Sequence, residues 1–272
     1  MMKIALMSYT LARGRWGKNP DLRELCELAS SLRIDGVDWV TLYGFAAEEV
    51  VRVTADYGLK NICYTFFAPV HNSEKRAEAM DLIKRGLDTA GVLGADKIML
   101  PLGGVEGQSR EYSRQLALEG LAEAVSMAEK QGITVTVEHF HGRLAPFITS
   151  EDMEQAVAIV PGLKITYDNG NVYTSGEDPA EAFTRVHEHI VHAHFKDWHA
   201  VEEGRLQGLD GRFYKGALVG EGVVDPKPCL EAMAAAGYEG YINMEYEGQE
   251  YDPKEAIIRG TKYLQELIAS LG

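Results

Sequence analysis

The chain is short of cysteine, of basic residues and of long apolar runs, and each shortage removes a class of protein. Cys26, Cys63 and Cys229 are its only cysteines. Widely separated and odd in number, they form neither a disulfide framework nor a C-x-x-C metal clip, so a reducing cytoplasm is the expected compartment. The opening MMKIALMSYT lacks the apolar stretch and small-residue cleavage site of a signal peptide. No uncharged run is long enough to span a bilayer. Lys and Arg number 27 against 41 Asp and Glu, a net charge of −14, which opposes binding to nucleic acid or to an anionic membrane. No Walker motif occurs. The first strand-like segment runs into LARGRWGKNP, whose Gly14 and Gly17 fit no dinucleotide fingerprint.

What is present is a repeating unit: an amphipathic helix, a glycine, then a short strand. KIALMS, RIDGVDWV, YGLKNICYT, LGADKIMLPL, QGITVTVEHF, PGLKITYDN, HEHIVHAHFKDW and AGYEGYINMEYE are the strand candidates. Gly36, Gly58, Gly94, Gly132, Gly162 and Gly237 stand where helix ends favour positive φ. Helices are expected near 20–32, 46–57, 74–93, 110–131, 150–160, 179–188, 226–236 and 253–270. Asn19-Pro20-Asp21, Ser150-Glu151-Asp152, Asp178-Pro179 and Asp252-Pro253 provide start signals for four of them. Strict alternation of this kind allows a closed barrel or an open doubly wound sheet. Without a dinucleotide or Walker motif the closed form is favoured, an α/β chain folded as a (β/α)8 TIM barrel in a single domain over residues 1–272. The longest irregular stretch, about 198–225 after the seventh strand, is expected to be a functional loop.

Strand alternation also sorts side chains by face. Val135 and Val137 oppose Thr136 and Glu138; Ile165 and Tyr167 oppose Thr166 and Asp168. Ala193 and Phe195 oppose His192, His194 and Lys196, while Ile242 and Met244 oppose Asn243 and Glu245. The apolar set must meet the helices, so the polar set lines the barrel. A lone strand-end carboxylate usually caps a helix or meets solvent, and a lone inward histidine usually belongs to the core. Glu138, Asp168, His194 and Glu245, in phase on four consecutive strands, instead demand a cation between them. Oxygen-rich donors with one imidazole suit Mn²⁺, Mg²⁺, Co²⁺, Fe²⁺ or Zn²⁺. His192 reads as support for His194, and Asp197, on the other face, as a brace for a neighbouring loop.

In this order and spacing VTVEHFHG, ITYDNGN, VHAHFKD, GEGVVDP and GYEGYINMEYEG resemble the xylose-isomerase-like TIM-barrel superfamily, in its sugar phosphate isomerase/epimerase branch. The resemblance implies that Glu138, Asp168, His194 and Glu245 bind one divalent metal ion, manganese among the candidates, and that Glu138 and Glu245 double as acid/base catalysts. It departs at Asn171, where many ketose 3-epimerases carry histidine, and at Ala200, where they carry a substrate-binding arginine. Asn171, Lys196, His141, Trp16, Trp198 and His71 are the candidate substrate contacts. Lys196 serves either an anionic oxygen or a ligand carboxylate, and Glu221 is expected to shape its loop.

The leading functional expectation is a carbohydrate-metabolism enzyme. It would be an isomerase or epimerase of a sugar, sugar phosphate or polyol ketone, removing a proton α to a metal-bound carbonyl through an enediolate. The alternative is a dehydratase (lyase) of a keto-inositol or related cyclic ketone. A metal-dependent endonuclease, opposed by the charge, and a non-catalytic binding barrel rank behind. The expected partner is a small sugar or polyol, not nucleic acid or membrane, with homo-oligomers a family expectation.

Overall fold

The computed structural model describes residues 2–204 and 206–271; Met1, Arg205 and Gly272, the second of them inside the expected 198–225 loop, lie outside the described residues. Strands β1 (Lys3–Met7), β2 (Gly36–Val40), β3 (Lys60–Thr65), β4 (Lys97–Leu100), β5 (Thr134–Glu138), β6 (Lys164–Asp168) and β7 (Ile190–Phe195) alternate with helices. Three short strands follow, β8 (Asp197–Val201), β9 (Leu206–Gln207) and β10 (Phe213–Ala217), and then β11 (Tyr241–Met244). The order β1-β11-β7-β6-β5-β4-β3-β2 closes on itself, and every pairing in it is parallel. The chain is a (β/α)8 TIM barrel.

Local sequence accounts for the helix limits. Asp21, Asp178, Asp225 and Asp252 cap helices at Leu22–Ser31, Pro179–Val186, Pro226–Ala235 and Pro253–Ser270, the last three with proline in the first turn. The helix Ser150–Ile159 is capped by Thr149, one residue earlier than its Ser-Glu-Asp signal suggests, in a capping box with Asp152. Gly36 departs from its expected role. It lies inside β2 without positive φ, and a Cβ there would meet the Tyr241 ring at 2.7 Å and Ile62 at 2.9 Å. Its requirement is close strand approach, not a helix end.

Trp39, Tyr167, Phe183, Phe195 and Leu87 pack between strands and helices, while Ala5, Ile62, Cys63 and Met99 form a separate apolar cluster. The stretch after β7 is only partly irregular. β8, β10 and β9 build an antiparallel sheet with its own cluster of Trp198, Tyr214 and Val224. Glycine density hid these strands, because their short pairing leaves no long alternation to read. Short helices at Ser8–Ala12, Arg15–Lys18 and Asn169–Ser175 also escape a period-based reading. Among the described residues no helix is long and apolar enough to cross a membrane.

Candidate metal centre

Barrel register determines which side chains meet. Asp168 pairs in register with His194, and His194 with Asn243, so β6, β7 and β11 end in one layer. Glu138, Asp168, His194 and Glu245 are all buried, and each offers a donor atom within 4.8 Å of the others. His194 Nδ1 lies 2.7 Å from Glu138 Oε1 and 3.7 Å from Glu245 Oε2. Asp168 also caps the helix that follows it. Its Oδ1 accepts the Asn171 N–H at 2.8 Å, which aims Oδ2 into the site.

Lys196 is drawn into the same cluster, with Nζ 3.2 Å from Asp168 Oδ2, 3.0 Å from Glu245 Oε2 and 3.3 Å from Glu247 Oε1. Asn169 Oδ1 accepts its backbone N–H. Gly170 leaves room for its stem, since a Cβ there would sit 2.4 Å from Lys196 Cγ. Of the two roles expected for Lys196, the structure thus shows the carboxylate partner.

Four carboxylates, Glu138, Asp168, Glu245 and Glu247, face one lysine and one histidine. Burial pushes the Asp168 carboxyl up to about 7 against the pull of Lys196, and drives Glu245 well above the usual carboxylate range. For Glu247 burial is outweighed, chiefly by Lys196, and the carboxyl falls to about 2. Glu138 is likewise below its usual value, because His194 and Lys196 together overcome its burial. The buried Asp168 Oδ2 and Glu245 Oε2 receive no well-oriented hydrogen bond. Crowded acids that converge within one coordination sphere, with Asp168 Oδ2 and Glu245 Oε2 met chiefly by the Lys196 ammonium, fit a divalent cation. Beneath them Asp38 of β2 accepts from His192 Nε2 at 2.7 Å and Asn243 Nδ2 at 2.6 Å.

A cavity of about 240 Å³ opens above the cluster, lined by the apolar Met7, Val40, Phe67, Met99, Pro101 and Phe140 and by the polar Tyr9, Thr65, Glu138, His141, Lys196, Glu245 and Glu247. A larger hollow, about 430 Å³, lies among Lys3, Lys60, Lys97 and Tyr241 at the opposite ends of the strands and holds none of these acids. Barrel chemistry belongs at the C-terminal face, so the smaller cavity is the candidate active site.

The expected substrate contacts separate into two groups. Lys196 and His141 line the cavity; His141 stacks on Phe140, and burial lowers its pKa, helped by Lys196. The other four do not line it. Trp16 is core, donating Nε1–H to the Asp21 carbonyl and meeting the Tyr43 ring edge-on. Trp198 lies one layer back, against Lys196 and His141. Asn171 is buried and donates Nδ2–H to the His139 carbonyl, while His71 is buried away from the acids. All four are covered by neighbouring side chains.

Glu247, Asp38, Tyr9, Phe67 and Phe140 were missed by sequence reasoning. Glu247 had a signal, since it continues the alternation of Asn243 and Glu245. Asp197 does brace the following loop, its carboxylate accepting N–H groups from Trp198, Gly220, Gly222 and Val224 at 2.7–3.0 Å. Glu221 holds Tyr251 and Arg259 at the surface.

Comparison with known proteins agrees with this architecture. The sequence model of the xylose isomerase-like TIM barrel family matches residues 26–267. Inosose dehydratase of Lacticaseibacillus casei is 29% identical over 155 residues, 53% of this chain and 51% of the relative. The chain therefore spans about half the length of that curated relative. Inosose dehydratase of Geobacillus thermodenitrificans strain NG80-2 is 24% identical over 229 residues, 76% of each chain. Among solved structures, the IOLI protein with a binding zinc atom superposes with TM-score 0.81 at 18% identity, covering 100% of this chain and 99% of its own. The 3-keto-D-glucoside 4-epimerase YcjR of E. coli gives 0.78 at 18% identity, covering 98% and 100%. At these identities the two structures speak for the fold alone.

Proposed function

The chain belongs to the xylose isomerase-like TIM barrel family, and from that premise we propose that it is a divalent-metal-dependent lyase that dehydrates a keto-inositol or a related cyclic polyhydroxy ketone. The observation that carries this reading is the cavity above the acid cluster. Lys196 is the one lysine or arginine among the described residues that line it, and three carboxylates already hold that ammonium. No lysine or arginine on this wall is left over for a phosphate, which favours an uncharged substrate. The small volume and the wall of Met7, Val40, Met99 and Phe140 suit the C–H face of a single ring. The name shared by the two curated relatives points the same way. The sugar phosphate isomerase expectation is correspondingly set behind the dehydratase one.

Glu138, Asp168, His194 and Glu245 would hold the metal, which when bound supplies a Lewis acid that makes the C–H beside the ketone acidic. Glu138 and Glu245 stand at the ends of strands separated by β6 and β7 in the barrel order. One carboxylate can therefore take the α proton while the other protonates the departing β-hydroxyl, which leaves as water. The apolar wall and Phe140 limit water at the reacting carbons. An epimerase shares the first step and differs only in where the proton returns.

Wild type and Glu245→Gln should be compared by metal analysis and by incubation with keto-inositols and ketoses in D₂O. The expected result is stoichiometric metal with water loss and enone absorbance in the wild type, both lost in the variant. Exchange of label with no enone would replace the lyase with an isomerase. A wild-type protein that takes up no metal under any loading condition would sink both.

A further inference from the structure

We propose that Asp38 is a positioning residue for the metal centre: it holds the His194 Nε2–H, so that the ring presents Nδ1 toward Glu138, Asp168 and Glu245 as the donor a cation would take. The inference rests on the metal-centre reading above. It starts from the two edges of the His194 ring, which is completely buried. Nδ1 faces the acid cluster, 2.7 Å from Glu138 Oε1. Nε2 faces the other way, 3.4 Å from Asp38 Oδ2. An imidazole that ligates through Nδ1 keeps its proton on Nε2, and a buried N–H needs an acceptor. Asp38 is placed to be that acceptor.

Asp38 reaches His194 across the barrel interior, because β1 and β11 separate β2 from β7 in the closed order. Its position is set from several strands at once. Oδ2 accepts from His192 Nε2 at 2.7 Å and from Asn243 Nδ2 at 2.6 Å, and Oδ1 accepts from Thr65 Oγ1 at 3.3 Å. The carboxylate is wholly buried, and no lysine or arginine among the described residues pairs with it. A charge kept in such a place with only two histidines to pair with it is costly for stability. That cost is understandable where the charge orients a metal-binding imidazole.

Asp38, His192 and His194 also lie close enough together to raise the question of a second cation. The hydrogen bonds argue otherwise. Asn243 Nδ2 is 2.6 Å from Asp38 Oδ2 and 3.0 Å from His192 Nε2, and an amide NH₂ has no lone pair to give. It occupies the space where a cation would have to sit, so the group is a hydrogen-bonded brace.

The test uses the full chain loaded with Co²⁺. Asp38→Asn keeps the shape but places an NH₂ or a weaker acceptor against the three donors at Oδ2. Its Co²⁺ affinity, measured by competition with a chromophoric chelator, should fall by about 10–100-fold. In proton NMR of the Co²⁺ protein, the exchangeable, hyperfine-shifted Nε2–H of His194 should be slow to exchange in wild type and broadened or lost in the variant. His192→Gln, which loosens Asp38 without removing its charge, should shift both readouts in the same direction by less, and it provides the answer if Asp38→Asn does not fold. Folded variants with affinity within twofold of wild type and an unchanged exchangeable signal would overturn the role of Asp38 alone. A wild type that binds no Co²⁺ would instead remove the metal centre, and this inference with it.

Discussion

Replacing Lys196 with methionine removes the one ammonium among four acids while keeping a side chain of similar length. Lys196 is 3% exposed, and its Nζ lies 3.0–3.3 Å from Asp168, Glu245 and Glu247. Taking away one partner of a buried ion pair costs about 3–5 kcal/mol, because the remaining charges are left uncompensated. At about 2–4 °C per kcal/mol for a domain near this size, the metal-free variant should melt about 6–20 °C below metal-free wild type. A divalent cation acts in the opposite direction. It neutralises the same carboxylates, and at a hundred times its Kd it adds about 2.7 kcal/mol. Since the ammonium no longer repels the ion, Lys196→Met should bind metal more tightly than wild type, and the gap in melting temperature should narrow as metal is added. Differential scanning fluorimetry in EDTA and across a Mn²⁺ titration reads both effects. Equal melting temperatures in EDTA, or weaker metal binding by the variant, would refute the reasoning that Lys196 and the cation share these acids.

Asp197→Ala deletes an acceptor that ties four N–H groups of the segment after β7. With hydrogen bonds to a charged group contributing about 1.5–3 kcal/mol each and not adding fully, urea unfolding should show a loss of at least about 3 kcal/mol. Limited proteolysis should then cut within 198–225, and an unchanged digestion pattern would count against the brace. Burial lowers the His71 imidazole below its usual range, so at mildly acidic pH the unfolded chain binds a proton that the folded chain refuses. Stability from this group is complete above the ordinary histidine pKa and declines as pH falls below it toward the lowered value. His71→Asn should flatten that part of a pH–stability curve; an identical slope would dismiss the assignment.

Sequence alone determined the barrel, most helix limits and which four polar residues cluster at the strand ends, because these depend on local periodicity. A strand has period two, and four polar residues held in phase at strand ends declare a shared face before any coordinate is known. Asp21, Asp178 and Asp252 announced helix starts by the same local chemistry. Tertiary structure decided everything that depends on closure and cover. Only the closed order brings Asp38 of β2 to the far edge of His194, since nothing in RIDGVDWV says what lies across the barrel. Lys196 had two readings until three acids were found around its ammonium. Trp16 looked like a ring platform from its loop, yet burial of its large apolar surface took it into the core. The cavity wall that includes Phe67 and Phe140 exists only once separate loops meet over the barrel mouth.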